Sequence, residues 1–192
     1  MMRMNRMAAR ALGLVAVLLA GGALAEKADS TKRVDINAAS GSSDLVSGKT
    51  VAEGNVVLTR GTLVVNAGKL TSTEDAEGYV FATLDATPGK LATFRQKRDG
   101  GDLWVEGEAE RIEYDGKNEV MKLLSKAKVT QLEGTKLTQQ VAGAFIAYDS
   151  RKESVTVFNS PGGQSKVGGD RVQIIIEPKP RPAPPTPPGK PQ

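Results

Sequence analysis

The segment Glu53–Ser72, EGNVVLTRGTLVVNAGKLTS, places glycine at positions 54, 61 and 68 and fills the intervals with short β-branched runs. Seven-residue spacing resembles a helical heptad, but the residue types argue against a helix. Each interior glycine costs a helix about 1 kcal/mol, and Val56, Val57, Val64 and Val65 carry branched side chains that a helix restricts at χ1. Extended backbone accepts the same residues. Val56 and Leu58 then share a face, Arg60–Gly61 turns, and Leu63, Val65 and Ala67 share a face on the return. The segment predicts a β-hairpin or meander.

The pattern continues along the chain. Strands are predicted at Arg33–Asn37, Asp44–Lys49, Val51–Arg60, Thr62–Ala67, Lys69–Thr73, Tyr79–Leu84, Leu91–Lys97 and Leu103–Gly107. Further strands follow at Ala109–Tyr114, Glu119–Leu124, Ala127–Leu132, Lys136–Val141, Ala144–Tyr148, Ser154–Phe158 and Arg171–Glu177. Short strands separated by Gly, Asp and Asn define an all-β protein. SGSSD (Ser40–Asp44) reads as a plain turn. An internal repeat supports strand-turn-strand units: AERIEYDGKNE (Ala109–Glu119) aligns with GAFIAYDSRKE (Gly143–Glu153), Ile112 on Ile146, Tyr114 on Tyr148 and Asp115 on Asp149. The aspartates precede tight turns, where a carboxylate can accept turn amides.

Alternation predicts an inner face carrying Val34 with Ile36, Val56 with Leu58, Leu63 with Val65, Phe81 with Thr83, Ala92 with Phe94, Ile146 with Tyr148, and Val155 with Val157. Val172, Ile174 and Ile176 share a face that is expected to be buried. Aromatics are 4% of the chain, so the interior is built from mid-sized aliphatics. Such an interior closes as an ordinary sandwich or stays open as an apolar groove; periodicity does not choose between them.

The two ends differ from the middle. Arg3, Arg6 and Arg10 precede an apolar run ending in Ala23-Leu24-Ala25, the pattern of a cleavable secretory leader over residues 1–25. The run is about 15 residues where a membrane span needs roughly 20. At the other end, EPKPRPAPPTPPGKPQ is half proline and cannot join a sheet. The expected organisation is a leader (1–25), one β-domain (26–177) and a proline-rich tail (178–192). The formal charge of +4 comes from the ends: without the three leader arginines, 23 basic residues face 22 acidic ones. A near-neutral β-domain does not argue for nucleic acid. With neither cysteine nor histidine, the chain has no disulfide, no Cys/His zinc site and no histidine-based catalytic unit. No clustered carboxylate motif replaces them, so no catalytic residue, metal or cofactor is expected.

VDIN…SGKTVAEGNVVLTRGTLVVNAGKL resembles the OstA-like, LptA-type family of periplasmic lipopolysaccharide-transport proteins. The family pattern is an I-x-I strand, a G-N-V-x-V-x-x-G-x-x-x-x-A-D run and a later G-x-x-I-x-Y-D repeat. Here these are Val34–Ile36, Gly54–Gly68 and Gly143–Asp149, and LATFRQKRDGG (Leu91–Gly101) matches a further family segment. Gly68 and Ala144 depart from the pattern by lacking its aspartate, and Glu110 keeps a carboxylate. The resemblance implies a twisted, open β-jelly roll of about sixteen antiparallel strands in two facing sheets. It implies a soluble periplasmic carrier that is no enzyme, holds lipopolysaccharide acyl chains between its sheets, and passes them from inner-membrane to outer-membrane transport partners. The lipid-lining residues expected on this basis are Val34, Ile36, Val56, Leu58, Leu63, Val65, Phe94 and Ile146. Head-to-tail self-association is expected at two edges, Val34 and Ile36 at one and Val172, Ile174 and Ile176 at the other. The competing expectation is an exported structural β-solenoid with a closed core and no lipid ligand.

Overall fold

The computed structural model describes Asp29 and residues 32–178. The leader and the tail beyond Pro178 lie outside the described residues. Twelve strands form one continuous antiparallel network: β1 Val34–Asn37, β2 Ser40–Asp44, β3 Lys49–Arg60, β4 Leu63–Glu74, β5 Val80–Asp85 and β6 Ala92–Lys97. The second half is β7 Leu103–Ala109, β8 Arg111–Asp115, β9 Val120–Glu133, β10 Lys136–Asp149, β11 Ser154–Phe158 and β12 Gln173–Ile176.

Four strands are long enough to serve twice. The Arg60 end of β3 pairs with β1, and its Lys49 end pairs with β2. Likewise β4 pairs first with β6 and then with β5. β9 pairs with β8 through its first half and with β7 through its second. β10 pairs with β12 and then with β11. The network therefore folds into two layers. One runs β1-β3-β4-β6-β7-β9-β10-β12, and the other runs β2-β3-β4-β5-β8-β9-β10-β11. Twelve strands with four used in both layers give sixteen strand segments, eight per layer.

The bends come from residues that leave the ladder. Gly54 and Asn55 take φ of +83° and +49° in the middle of β3, where the register with β4 shifts between Glu53 and Val56. Ser125 and Lys126 take φ of +60° and +52° in β9, opposite a shift between Gly143 and Phe145 of β10. Such left-handed residues interrupt pairing and turn the strand, as β-bulges do. A Cβ on Gly54 would lie 2.8 Å from the Ala39 Cβ, so the corner admits only a hydrogen there.

Cross-strand partners project to the same side, so the pairing traces rows across each layer. In the first layer one inner row runs Ile36–Leu58–Val65–Phe94–Gly107–Val129–Val141–Ile174, crossing all eight segments. In the second, the matching row runs Gly41–Ala52–Leu70–Leu84–Ile112–Leu123–Ile146–Val157. These rows meet as one core. The internal repeat has a spatial meaning: Ile112 and Ile146 flank Leu123, while Tyr114 and Tyr148 flank Met121.

Several expectations are corrected. Ser40–Asp44 is the edge strand β2 and not a turn, and the turn falls at residues 45–48, inside the strand expected at Asp44–Lys49. Three predicted strand pairs, split at residues 68, 125–126 and 142–143, are single bent strands β4, β9 and β10. Glycine and irregular φ signal a bend as readily as a turn. Phe81 and Thr83 face outward: Leu84 is buried and Ala82 is half-buried, and a one-residue shift exchanges every side chain on a strand. Val172 precedes β12, and Val172, Ile174 and Ile176 are 38%, 55% and 71% exposed, because no further strand covers that edge.

Candidate functional site

Between the layers, toward the end marked by the β3–β4 hairpin, lies a cavity of about 920 Å³. That is near the upper end of the roughly 300–1,000 Å³ usual for ligand pockets. Leu58, Leu63, Val65 and Phe94 form its wall on the first layer. Leu70, Leu84, Ile112, Tyr114 and Met121 form the opposite wall. The walls are aliphatic because both inner rows carry mid-sized residues, and of the charged residues on the inner side Arg60, at the end of β3, borders the space. Val105, Leu123, Val129 and Ile146 are fully buried and do not border the space.

The rim is polar. Arg60, Asp99, Glu119, Arg151 and Glu153 border the space. Arg98, just beyond β6, pairs with Glu153 of the β10–β11 turn at 2.6 Å and so links the two layers across the mouth. Ser150 donates to the Glu119 carbonyl at 3.0 Å and Arg151 to the Asn118 carbonyl at 2.5 Å, which fixes that turn to its neighbour. The groups with shifted ionisation, Asp44, Lys69, Asp115 and Asp149, lie on hairpin turns and an outer strand face, and none of them borders the cavity. Among the described residues no three acidic, histidine or cysteine side chains converge as a metal site would require. An aliphatic slot with a charged rim suits an amphiphile: chain inside, polar head at the mouth.

The expected lining residues divide into three groups. Leu58, Leu63, Val65 and Phe94 border the cavity. Val56 and Ile146 are sealed in the core at 1% and 0% exposure and do not. Val34 and Ile36 stand on the inner side of the edge strand, opposite Arg60 and Leu58, and are partly exposed. The second wall, including Leu70, Ile112 and Met121, is missing from the sequence expectation. Its signal was present in the repeat, which pairs Ile112 with Ile146, but which of the two meets open space depends on the facing layer.

The fold and site define a class: a two-layer antiparallel jelly roll with an apolar slot between layers and inner rows that surface at both edges. Residues 35–154 match the family described as LptA/(LptD N-terminal domain) LPS transport protein. The chain is 30% identical over 151 residues to the lipopolysaccharide export system protein LptA of Haemophilus influenzae, covering 79% of this chain and 83% of that protein. It is 27% identical to the lipopolysaccharide export system protein LptH of Pseudomonas aeruginosa, over 87% of this chain and 91% of that one. It is 28% identical to LptA of Escherichia coli K12, over 79% of each. The crystal structure of LptH, the LptA homologous periplasmic component of the lipopolysaccharide transport device of P. aeruginosa, superimposes with a TM-score of 0.66 at 25% identity, covering 78% of this chain and 99% of that chain. This chain belongs to the LptA/LptD N-terminal domain family of lipopolysaccharide transport proteins.

Proposed function

We propose that this protein is a periplasmic, non-enzymatic carrier that holds lipopolysaccharide acyl chains between its two β-layers and passes them from inner-membrane to outer-membrane transport partners. The observation that carries this reading is the inner row from Ile36 to Ile174, which carries no polar side chain across the layer and whose Leu58, Val65 and Phe94 border the cavity. Each methylene moved from water onto such a surface gains about 0.8 kcal/mol. The wall is mostly aliphatic, so a chain finds no rigid aromatic slot to stop it along the row. Among the described residues no helix is long and apolar enough to cross a membrane.

Strand parity supports head-to-tail association of copies. Each layer has eight alternating segments, so its first and last strands run in opposite directions. A second copy placed with its β1 beside β12 and its β2 beside β11 continues both ladders antiparallel at once, and the apolar rows become continuous from copy to copy. Val34 and Ile36 at one edge and Ile174 and Ile176 at the other are then covered; Val172 lies just outside the strand.

A photo-crosslinking side chain tests the reading. Placed at Ile36 or Leu58 in cells, it should capture lipopolysaccharide, whereas at Val57, on the outward face of β3, it should not. Equal capture at Leu58 and Val57 would remove the groove.

A further inference from the structure

Asp29 and Gln96 are the two buried polar or charged side chains among the described residues, and they meet. Asp29 precedes the first strand, and its carbonyl accepts from the Lys32 N–H at 3.0 Å. Its carboxylate reaches the end of the apolar cavity and accepts from the Thr62 backbone N–H at 3.0 Å, the Thr62 hydroxyl at 2.5 Å and Gln96 Nε2 at 3.3 Å. The hydroxyl is oriented for this: it accepts from the Lys97 N–H at 3.2 Å, which leaves its own proton to point at the carboxylate. A Cβ on Gly61 would overlap the Asp29 carboxylate, so the β3–β4 turn is shaped around that group.

The receptor belongs to the sheet, while its occupant does not. Thr62 lies in the hairpin turn and Gln96 on the inner face of β6, opposite Val105. An amide on an otherwise apolar inner face is costly unless hydrogen-bonded, and three donors converging on one point suit an oxyanion. We infer that the Thr62–Gln96 cluster is an oxyanion subsite at the end of the apolar slot, filled by the chain's own Asp29 in the free protein. Its ligand is the carboxylate or phosphate head of a single-headed amphiphile whose chain enters the slot, and Asp29 competes with that head. This rests on the groove reading above and adds a head-group site to it.

The test uses the purified protein lacking only its leader, titrated with a fluorescent polyene fatty acid, the corresponding alkyl phosphate and the corresponding alcohol. Asp29→Ala should tighten the acid and the phosphate by about tenfold, equivalent to 1.4 kcal/mol, and leave the alcohol within about twofold. Asp29→Asn, which keeps the side chain's size, should act in the same direction but less. Adding Thr62→Val to Asp29→Ala should return the two anions to wild-type affinity. Inorganic phosphate alone should not displace the alkyl phosphate; displacement at equal concentration would mean a free-anion site and overturn the amphiphile. Equal gains for acid and alcohol, or no gain for either, would overturn the subsite while leaving the groove. Failure of every probe to bind any variant would overturn the groove and the subsite with it.

Discussion

Phe94 and Gly107 face each other across β6 and β7, and the ring covers the glycine. A Cβ on Gly107 would overlap the ring carbons, so Phe94 keeps its position because its partner has no side chain. This pair occupies the middle of the inner row, where Phe94 is 2% exposed yet borders the cavity. Gly107→Ala should push the ring toward the cavity and destabilise the fold by about 1–3 kcal/mol, the usual cost of an overpacked core. Urea unfolding followed by the single Trp104 measures it. A change below about 0.5 kcal/mol, the scale of ordinary surface substitutions, would show that the ring has room to move without loss.

At the scale of elements, four hairpin turns are organised by an aspartate; Asp75 accepts from the Glu77 and Tyr79 amides, and the other three are Asp44, Asp115 and Asp149. Asp44 accepts from the Val46 and Ser47 amides, Asp115 from the Asn118 amide and side chain, and Asp149 from the Lys152 amide and ammonium. The repeat equivalence of Asp115 and Asp149 is thus a shared turn, with Glu119 and Glu153 each taking positive φ a few residues later. The bonds to Asp44, Asp115 and Asp149 favour the ionised form and hold these three carboxyls below their ordinary value of 3.8: for Asp44 chiefly the Ser47 amide, for Asp115 the Asn118 side chain, for Asp149 the Lys152 side chain. A carboxyl lowered in the folded state contributes stability that is present above about pH 4, its unfolded value, and is lost as pH falls through the folded-state value. The urea midpoint should therefore fall as pH drops below about 4, and Asp115→Asn should reduce that slope. An unchanged slope would mean that Asp115 takes up its proton equally in the folded and unfolded chain.

At the scale of the whole molecule, the layers end on β1 and β2 at one side and on β12 and β11 at the other. β12 pairs with β10 alone and its inner residues are more than half exposed, so it adds little burial within one copy. Cutting the chain after Gly169 should lower the melting temperature only slightly and abolish concentration-dependent association. Cutting after Glu177 should change neither, because the fifteen residues removed hold eight prolines, which add no ladder. Sedimentation velocity across a concentration series, alongside thermal melts, distinguishes the two truncations. Association that survives the shorter cut would place the contact elsewhere. At the opposite edge, β2 is short, serine-rich and fully exposed, with no apolar side chain of its own to attract a partner nonspecifically.

Local chemistry made part of this legible. Strand, turn and facing follow from a period of two and from where glycine and aspartate fall, and each is decided within a few residues. The β3–β4 hairpin, the aspartate turns and the inward placing of Leu58, Val65 and Phe94 could therefore be read from the chain. Facing was misread at Phe81 and Thr83, where the apolar residues alternate with others nearly as apolar, so the period has no contrast. The bend at Ser125–Lys126 reads as a break and the bend at Gly54 passes unmarked inside Val51–Arg60, because a residue of positive φ looks alike in a turn and in a bulge until the pairing partners are known. Whether an inward residue lines open space or is sealed depends on its counterpart in the other layer, far away in sequence. Val56 and Leu58 are two residues apart on one face, yet only Leu58 borders the cavity. Asp29 is the extreme case: no pattern around it marks burial, and its partners stand 33 and 67 residues away, brought together only when β6 pairs beside the β3–β4 hairpin.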